Sequence, residues 1–298
     1  MISYLIPVYN FDIRELVKDL INLSEREKIN YEILVVDDFS TAFKSDNKEL
    51  LNTLNNVIYE ELSENYGRAK IRNYLANKSQ YENLVFLDCD SKINLDFVKN
   101  YIDNIDKDIV YGGTLYENNK SDQYYLHRLY GSRREVLSLN KRIESPILSF
   151  RTNNFLIKKS LFKKTQFDEQ IKGYGHEDTL FAIEIAEKGV EIIHIDNPVI
   201  HIGLETSDVF IAKVLKSVEN LHQLIYLKKE LLETFQKIKL VRYFFKIKKI
   251  YLCGLFSFFY NISNKLIINI LKTKKAKIFL LDFLKLTYIC KKEKQFRQ

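Results

Sequence analysis

Acidic residues almost vanish from the last fifth of this 298-residue chain. Residues 235–298 carry sixteen Lys or Arg against two acids, Asp282 and Glu293, a net of +14, while the first 234 residues carry a net of −7. Such a division marks an interaction surface and suggests a boundary between regions, here 1–207 and 208–298. Cysteine is scarce too. Cys89, Cys253 and Cys290 are odd in number and far apart in sequence, which argues against a disulfide framework and fits a reducing compartment. The start, Met1-Ile2-Ser3-Tyr4-Leu5-Ile6-Pro7, lacks the basic and long apolar regions of a signal peptide. The most apolar long stretch, 250–271, is interrupted by Ser257, Asn261, Ser263, Asn264, Lys265 and Asn269, too polar a set for a spanning helix. Tryptophan is absent altogether.

What is present reads first as alternation. Short apolar runs at Ile2–Ile6, Tyr31–Val36, Val57–Glu61 and Asn83–Leu87 predict strands. Helical spacing predicts helices over about Ile13–Glu27, Ser45–Leu54 and Gly67–Asn77. A βαβαβαβ series argues for an α/β fold, a mainly parallel sheet with helices on both faces. Ligands in such sheets bind beyond the carboxyl ends of the strands, where Pro7–Asn10, Asp37–Thr41 and Asp88–Asp90 fall. The stretch from Tyr111 to Arg151, rich in Tyr, Asn and Arg, predicts loops and short strands around an acceptor-facing opening. Gly173-Tyr174-Gly175 forms a flexible turn before a helix predicted at Glu177–Lys188, and short strands follow at Glu191–Ile195 and Val199–Ile202. After Thr206 the pattern becomes long, lysine-flanked amphipathic helices. These suit an anionic leaflet, or alternatively a bundle covering the preceding domain. No stacking module or groove-reading motif accompanies the basic region, so nucleic acid is not an expected partner.

Val85-Phe86-Leu87-Asp88-Cys89-Asp90 carries the most chemistry. In an extended strand residues two apart share a face, so Asp88 and Asp90 can reach one divalent cation while Cys89 points inward. Paired acids at strand ends are also common in solvated turns. Arg68, Lys70 and Arg72 begin a helix after Gly67, where guanidinium groups and a helix N-terminus attract diphosphate. Arg68 and Arg72, four apart, share a face; Lys70 more simply pairs with a surface acid. Asp37 can act as a cap after its strand. Glu177 and Asp178 open a helix, a position that also suits plain capping.

In order along the chain, Ile6-Pro7-Val8-Tyr9-Asn10, Val35-Val36-Asp37-Asp38-Phe39-Ser40-Thr41, Asn65-Tyr66-Gly67 with Arg72-Asn73, Asp88-Cys89-Asp90 and Gly173-Tyr174-Gly175-His176-Glu177-Asp178 resemble the motifs of family 2 glycosyltransferases. The resemblance runs from Ile2 to about Gly203, and the last motif is similar to the galactosyltransferase and chondroitin-polymerase branch. It implies a GT-A fold, Rossmann-like, with a basic helical region appended. It implies that Pro7, Tyr9, Asn10, Asp37, Asp38, Asn65, Gly67, Arg68, Arg72 and Asp88 surround a UDP-sugar. Asp88, Asp90 and His201 would hold Mn²⁺ or Mg²⁺, an imidazole favouring manganese. Asp178 would be the general base, Glu177 a sugar or acceptor contact, and Gly173, Tyr174, Gly175 and Asn154 acceptor neighbours.

The implied reaction is an inverting single displacement onto a glycan or lipid-linked hydroxyl. Its implied setting is bacterial surface polysaccharide assembly, in the cytoplasm at the inner face of the cell membrane. Without tryptophan the chain lacks the Q-x-x-R-W element of processive synthases, so one sugar per acceptor is expected. Phe39 stands where the family commonly has glycine, and Ala42 where an Asp often follows. A sugar nucleotidyltransferase, with a similar sheet, would carry a Gly-rich basic loop after the first strand, which Pro7–Asn10 is not. A membrane-associated sugar-nucleotide-binding scaffold is the non-catalytic alternative.

Overall fold

The computed structural model describes residues 1–118 and 121–296; the last two positions of the expected 208–298 region lie outside that range. Ten strands follow in chain order: β1 Ile2–Val8, β2 Tyr31–Asp37, β3 Val57–Glu61, β4 Asn83–Leu87, β5 Ser91–Lys92, β6 Ile109–Tyr111, β7 Thr114–Tyr116, β8 Asn154–Lys158, β9 Ile193–His194 and β10 Val199–His201. Seven form one sheet in the order β3-β2-β1-β4-β8-β6-β9, and β5-β10-β7 form a small second sheet. β3, β2, β1 and β4 are parallel, whereas β8 runs antiparallel to both β4 and β6. The fold is mixed α/β as the alternation implied.

The alternating side chains of the central strands explain the two cores. Ile2, Tyr4, Ile6, Ile33, Val35 and Val85 pack with Leu16, Val17 and Leu20 of helix Arg14–Arg26. Leu5, Leu34, Val36, Leu84 and Phe86 face the opposite way, towards Ile71 and Leu75 of helix Gly67–Lys78 and Phe181 and Ile185 of helix Glu177–Glu187. There Phe86 stacks on Phe155 at 4.7 Å, and Phe167 on Phe181 at 4.3 Å. β1 runs through Pro7 to Val8, two residues beyond the strand expected at Ile2–Ile6. The ladder to β4 has already ended at Leu5, so the missing Pro7 N–H deprives no partner on that side.

The chain divides into two units. The first comprises Met1–Glu117, Glu135–Lys172 and Glu177–Gly203; the second takes in Asn118–Arg134, Gly173–His176 and the chain from Leu204 onward. Helices Ser207–Leu227, Lys239–Lys249, Cys253–Leu271 and Ile278–Phe296 dominate the second unit. Its apolar core joins Phe210, Ile211 and Val214 to Tyr260, Ile267, Leu281 and Leu284. The stretch read as 250–271 is not one helix: Tyr251, at φ +59, breaks it ahead of Cys253. Among the described residues no helix is long and apolar enough to cross a membrane.

Candidate active site

The first unit gathers its charged side chains beyond the carboxyl ends of β1, β2 and β4. Val8 and Asp37 are in register across β1 and β2, so the turns that follow them are neighbours. Asn10, at φ +51, straps those turns together. Its Oδ1 accepts N–H bonds from Thr41 at 2.7 Å and Ala42 at 3.0 Å, and its own N–H donates to Ser40 Oγ. Tyr9 stands exposed beside this strap, and Pro7 is half-buried in the strand before it. Phe39 adopts φ +68, a left-handed conformation that glycine would adopt without strain.

The paired aspartates have structural duties. Asp37, expected at the donor, is fully buried; its Oδ1 accepts the Ser40 N–H at 2.7 Å and the Tyr59 hydroxyl donates to its Oδ2. These bonds close the turn after β2; the helix that follows begins only at Lys44, with Phe43 at its N-cap. Asp38, expected beside the UDP-sugar, spends both oxygens on the chain's own N–H groups. Oδ1 accepts Tyr66 N–H at 2.5 Å and Oδ2 accepts Gly67 N–H at 3.0 Å, while Asn65 Nδ2 donates to the Asp38 carbonyl. Burial raises the Asp38 pKa against the pull of those two bonds. Gly67 holds φ +73 at the start of its helix, the residue-type requirement of that turn.

Arg72 also departs from expectation. Aligned with Arg68 for diphosphate, it is 1% exposed and binds Asp88 Oδ1 through Nη2 at 2.5 Å and the Arg68 carbonyl through Nη1 at 3.0 Å. It positions Asp88. Arg68 is the exposed member, its Nη1 3.6 Å from Glu177 Oε1, and its charge is also felt at Asp90. Lys70 pairs with Glu64.

The densest point is Asp90. Its Oδ1 is buried and accepts no hydrogen bond of good geometry, although His201 Nδ1 lies 3.2 Å away. The antiparallel pairing of β5 with β10 sets His201 opposite Ser91 and so delivers the imidazole to Asp90. Gly203 closes the far side: a Cβ there would stand 2.3 Å from Asp90 Oδ2. Burial works to lower the His201 pKa, but the Asp90 carboxylate outweighs it and holds the imidazole above its ordinary value. Burial likewise opposes ionisation of Asp90, yet His201 and Arg68 keep its carboxyl below the usual range. Tyr116 packs edge-on against the His201 ring at 5.1 Å.

Glu177 is buried at 4% exposure, and burial raises its pKa despite Arg68. Asp178 is more open. Its Oδ1 accepts the Thr179 N–H at 2.6 Å, and its Oδ2 sits 3.9 Å from Arg151 Nε. Sequence reasoning missed Arg151, Gly203 and Tyr116. Only Gly203 had a local signal, a glycine directly after the His201 strand.

Residues 3–167 match the sequence profile of glycosyl transferase family 2. This chain belongs to that family. Among solved structures the chain is similar in fold to the mannosyltransferase PcManGT from Pyrobaculum calidifontis in complex with GDP-Man and Mn²⁺. That structure shares the fold at a TM-score of 0.53 and 17% identity, over 76% of this chain and 64% of the other. S. aureus TarS matches at 0.48 and 22% identity over 74% of this chain and 39% of TarS. TarS 1–349 in complex with UDP matches at 0.48 and 18% identity over 100% and 92%. The chain thus spans less than two thirds of the first two of these proteins. No curated protein matches it.

Of the expected metal ligands, the fold brings together Asp90 and His201. Asp88 turns one oxygen to Arg72, and no cluster of three His, Cys, Asp or Glu suited to a metal ion occurs among the described residues. The Asp90 carboxylate beside the His201 imidazole nevertheless fits a divalent cation as a mixed O/N pair once the imidazole gives up its proton. Asn154, expected near the acceptor, is instead wholly buried. Its amide donates to the Gly113 and Asn197 carbonyls and its oxygen accepts the Tyr101 hydroxyl, which locks β8 to neighbouring turns. Gly173, Tyr174 and Gly175 group with the second unit. There Asn220 Nδ2 donates to the Tyr174 and Gly175 carbonyls, and a Cβ on Gly175 would fall 2.4 Å from Ser217 Cβ.

Proposed function

We propose that this glycosyltransferase is inverting and metal-dependent, moving a hexose or N-acetylhexosamine from a UDP-sugar to a hydroxyl of a glycan or glycolipid. The observation that carries the reading is the Asp90 carboxylate at the end of the central strands, its Oδ1 3.2 Å from His201 Nδ1 and within the field of Arg68. Asp90 and His201 would hold Mn²⁺ or Mg²⁺, with Asp88 steered by Arg72. A bound cation supplies charge neutralisation to a departing diphosphate.

Arg68 is the cation left to face donor phosphate, because Arg72 is enclosed. Tyr9, exposed on the strap made by Asn10, offers its ring to the base. Asp178 accepts the proton of the attacking hydroxyl at its carboxylate, which Arg151 orients. It suits this role better than Glu177, which is nearly enclosed and tied to Arg68. No enzyme nucleophile is needed. Galactose or N-acetylgalactosamine is the donor sugar we favour, from the likeness of the Gly173–Asp178 motif to the galactosyltransferase branch. Surface polysaccharide synthesis at the inner face of a bacterial membrane is the setting, supported by the basic C-terminal region.

Calorimetric titration of UDP and GDP, with and without Mn²⁺, into the wild-type chain and Asp90→Asn tests the donor site. The reading expects metal-dependent UDP binding that the substitution abolishes. Binding indifferent to metal, or preference for GDP, refutes the metal or donor assignment respectively. Product formation from UDP-galactose or UDP-N-acetylgalactosamine then identifies the sugar.

A further inference from the structure

Helix Cys253–Leu271 has two apolar faces and only one is used. Tyr260, Ile267 and Leu271 are buried in the core of the second unit. On the other side Leu255, Phe258, Phe259, Ile262 and Leu266 are exposed, from 39% at Phe259 to 65% at Leu266. These five recur at helical spacing and make a stripe roughly 16 Å long at 1.5 Å per residue. The turn leading into the helix extends it, because Ile250 is 59% and Tyr251 90% exposed. A contiguous stripe of this kind signals a contact surface, unlike single exposed side chains.

Charge decides what covers it. The 48 residues from 234 to 281 contain eleven Lys or Arg and no acid. Lys249 and Lys265, exposed beside the stripe, and Lys275 and Lys277, beyond the helix, have no acidic partner among the described residues. Two copies meeting through this face would oppose like charges. A nucleic acid would satisfy the lysines but leave five apolar side chains without a role. An anionic bilayer satisfies both, taking the stripe between its acyl chains and the lysines at its head groups. We infer that Leu255, Phe258, Phe259, Ile262 and Leu266, entered through Tyr251 and bordered by Lys249 and Lys265, form a monotopic docking face for an anionic lipid surface. The inference rests on the membrane setting proposed above and names the face that would serve it.

The absence of tryptophan makes the test clean. Phe258→Trp places a single indole on the stripe. Its emission is expected to shift to the blue with phosphatidylcholine vesicles containing phosphatidylglycerol, and much less with phosphatidylcholine alone. In vesicle sedimentation, Phe258→Asp with Ile262→Asp is expected to lower binding about a hundredfold, since burial of each large apolar side chain is lost. Lys249→Glu with Lys265→Glu is expected to lower binding to the anionic vesicles by about tenfold or more. All four positions are exposed, and circular dichroism confirms that the variants fold. The inference is overturned if emission is unchanged on anionic vesicles, if the double aspartate variant sediments like wild type, or if light scattering shows a lipid-free dimer that this variant dissolves. None of these readings involves donor or transfer, so a failed donor site would leave the result interpretable.

Discussion

Replacing Arg72 by methionine probes whether Asp88 depends on a buried partner. The guanidinium is enclosed and binds Asp88 at 2.5 Å, while its Nε lies buried without a hydrogen bond. Removing one member of a buried ion pair costs about 3–5 kcal/mol when the other stays buried. Two features reduce that figure. The Asp88 side chain is 22% exposed and can recover some water. Methionine also removes the unsatisfied Nε, a group that costs about 1–3 kcal/mol by itself. The net expected loss for Arg72→Met is therefore about 2 kcal/mol, read from urea unfolding with an unchanged m value. Adding Asp88→Asn should cost much less in that background than in wild type, a coupling of about 1 kcal/mol or more for residues in direct contact. Nucleotide affinity in the presence of Mn²⁺ should fall along with stability. A variant as stable as wild type, or a double-mutant cycle with no coupling, would refute Arg72 as the residue that positions Asp88.

Gly203→Ala sets a methyl carbon 2.3 Å from Asp90 Oδ2 and must push the carboxylate aside, so metal-dependent nucleotide binding should weaken at least about tenfold. Calorimetry checks this, and unchanged affinity would separate Gly203 from the site. Asp178→Asn should lower kcat by about 10²–10⁴ with nucleotide binding intact, as expected for a lost general base; comparable loss in Glu177→Gln alone would exchange their roles. Burial depresses the pKa of His222, which lies 3.1 Å from Glu293 in the second unit. Its neutral form is thus favoured on folding, and the stability it contributes is present above the unfolded value of about 6.5 and lost as pH falls through the folded value. Thermal unfolding should show Tm declining below about pH 6.5, and His222→Gln should flatten that slope.

The strand-helix series was legible because apolar runs and helical spacing coincide with the sheet's first four strands. Asn83–Leu87 is both the predicted and the observed β4. The antiparallel insertion of β8 was not legible. Asn154–Lys158 reads as an apolar run with no indication of which strands it will pair with, and its neighbours β4 and β6 begin 71 and 45 residues before it. At the site, residue type and spacing located the Asp88–Asp90 turn. They could not tell a carboxylate that faces a ligand from one that closes a turn. Asp37, Asp38 and Asp90 all lie at strand ends, but backbone N–H groups occupy the first two, whereas Asp90 Oδ1 faces the His201 imidazole. Arg68 and Arg72 share a helical face, yet one turn of helix separates an exposed guanidinium from an enclosed one. That difference depends on where β4 ends, which no local pattern encodes.

The site's charges therefore divide by what backbone lies within reach. Asp37 and Asp38 are consumed in shaping two turns, and Arg72 in holding Asp88; each is buried and each has partners drawn from the chain itself. These groups hold the loops in place around the remaining charged pairs: Asp90 with His201, Arg68 with Glu177, and Asp178 beside Arg151. The same logic accounts for Phe39. A bulky residue at φ +68 is tolerated only where the surrounding bonds over-determine the turn, and Asn10, Asp37 and Asp38 anchor that turn on both sides. The strain is thus a measure of how firmly the turns after β1 and β2 are held. Preorganisation of this kind favours electrostatic stabilisation of a leaving group, because the dipoles and charges that meet it need not be rearranged.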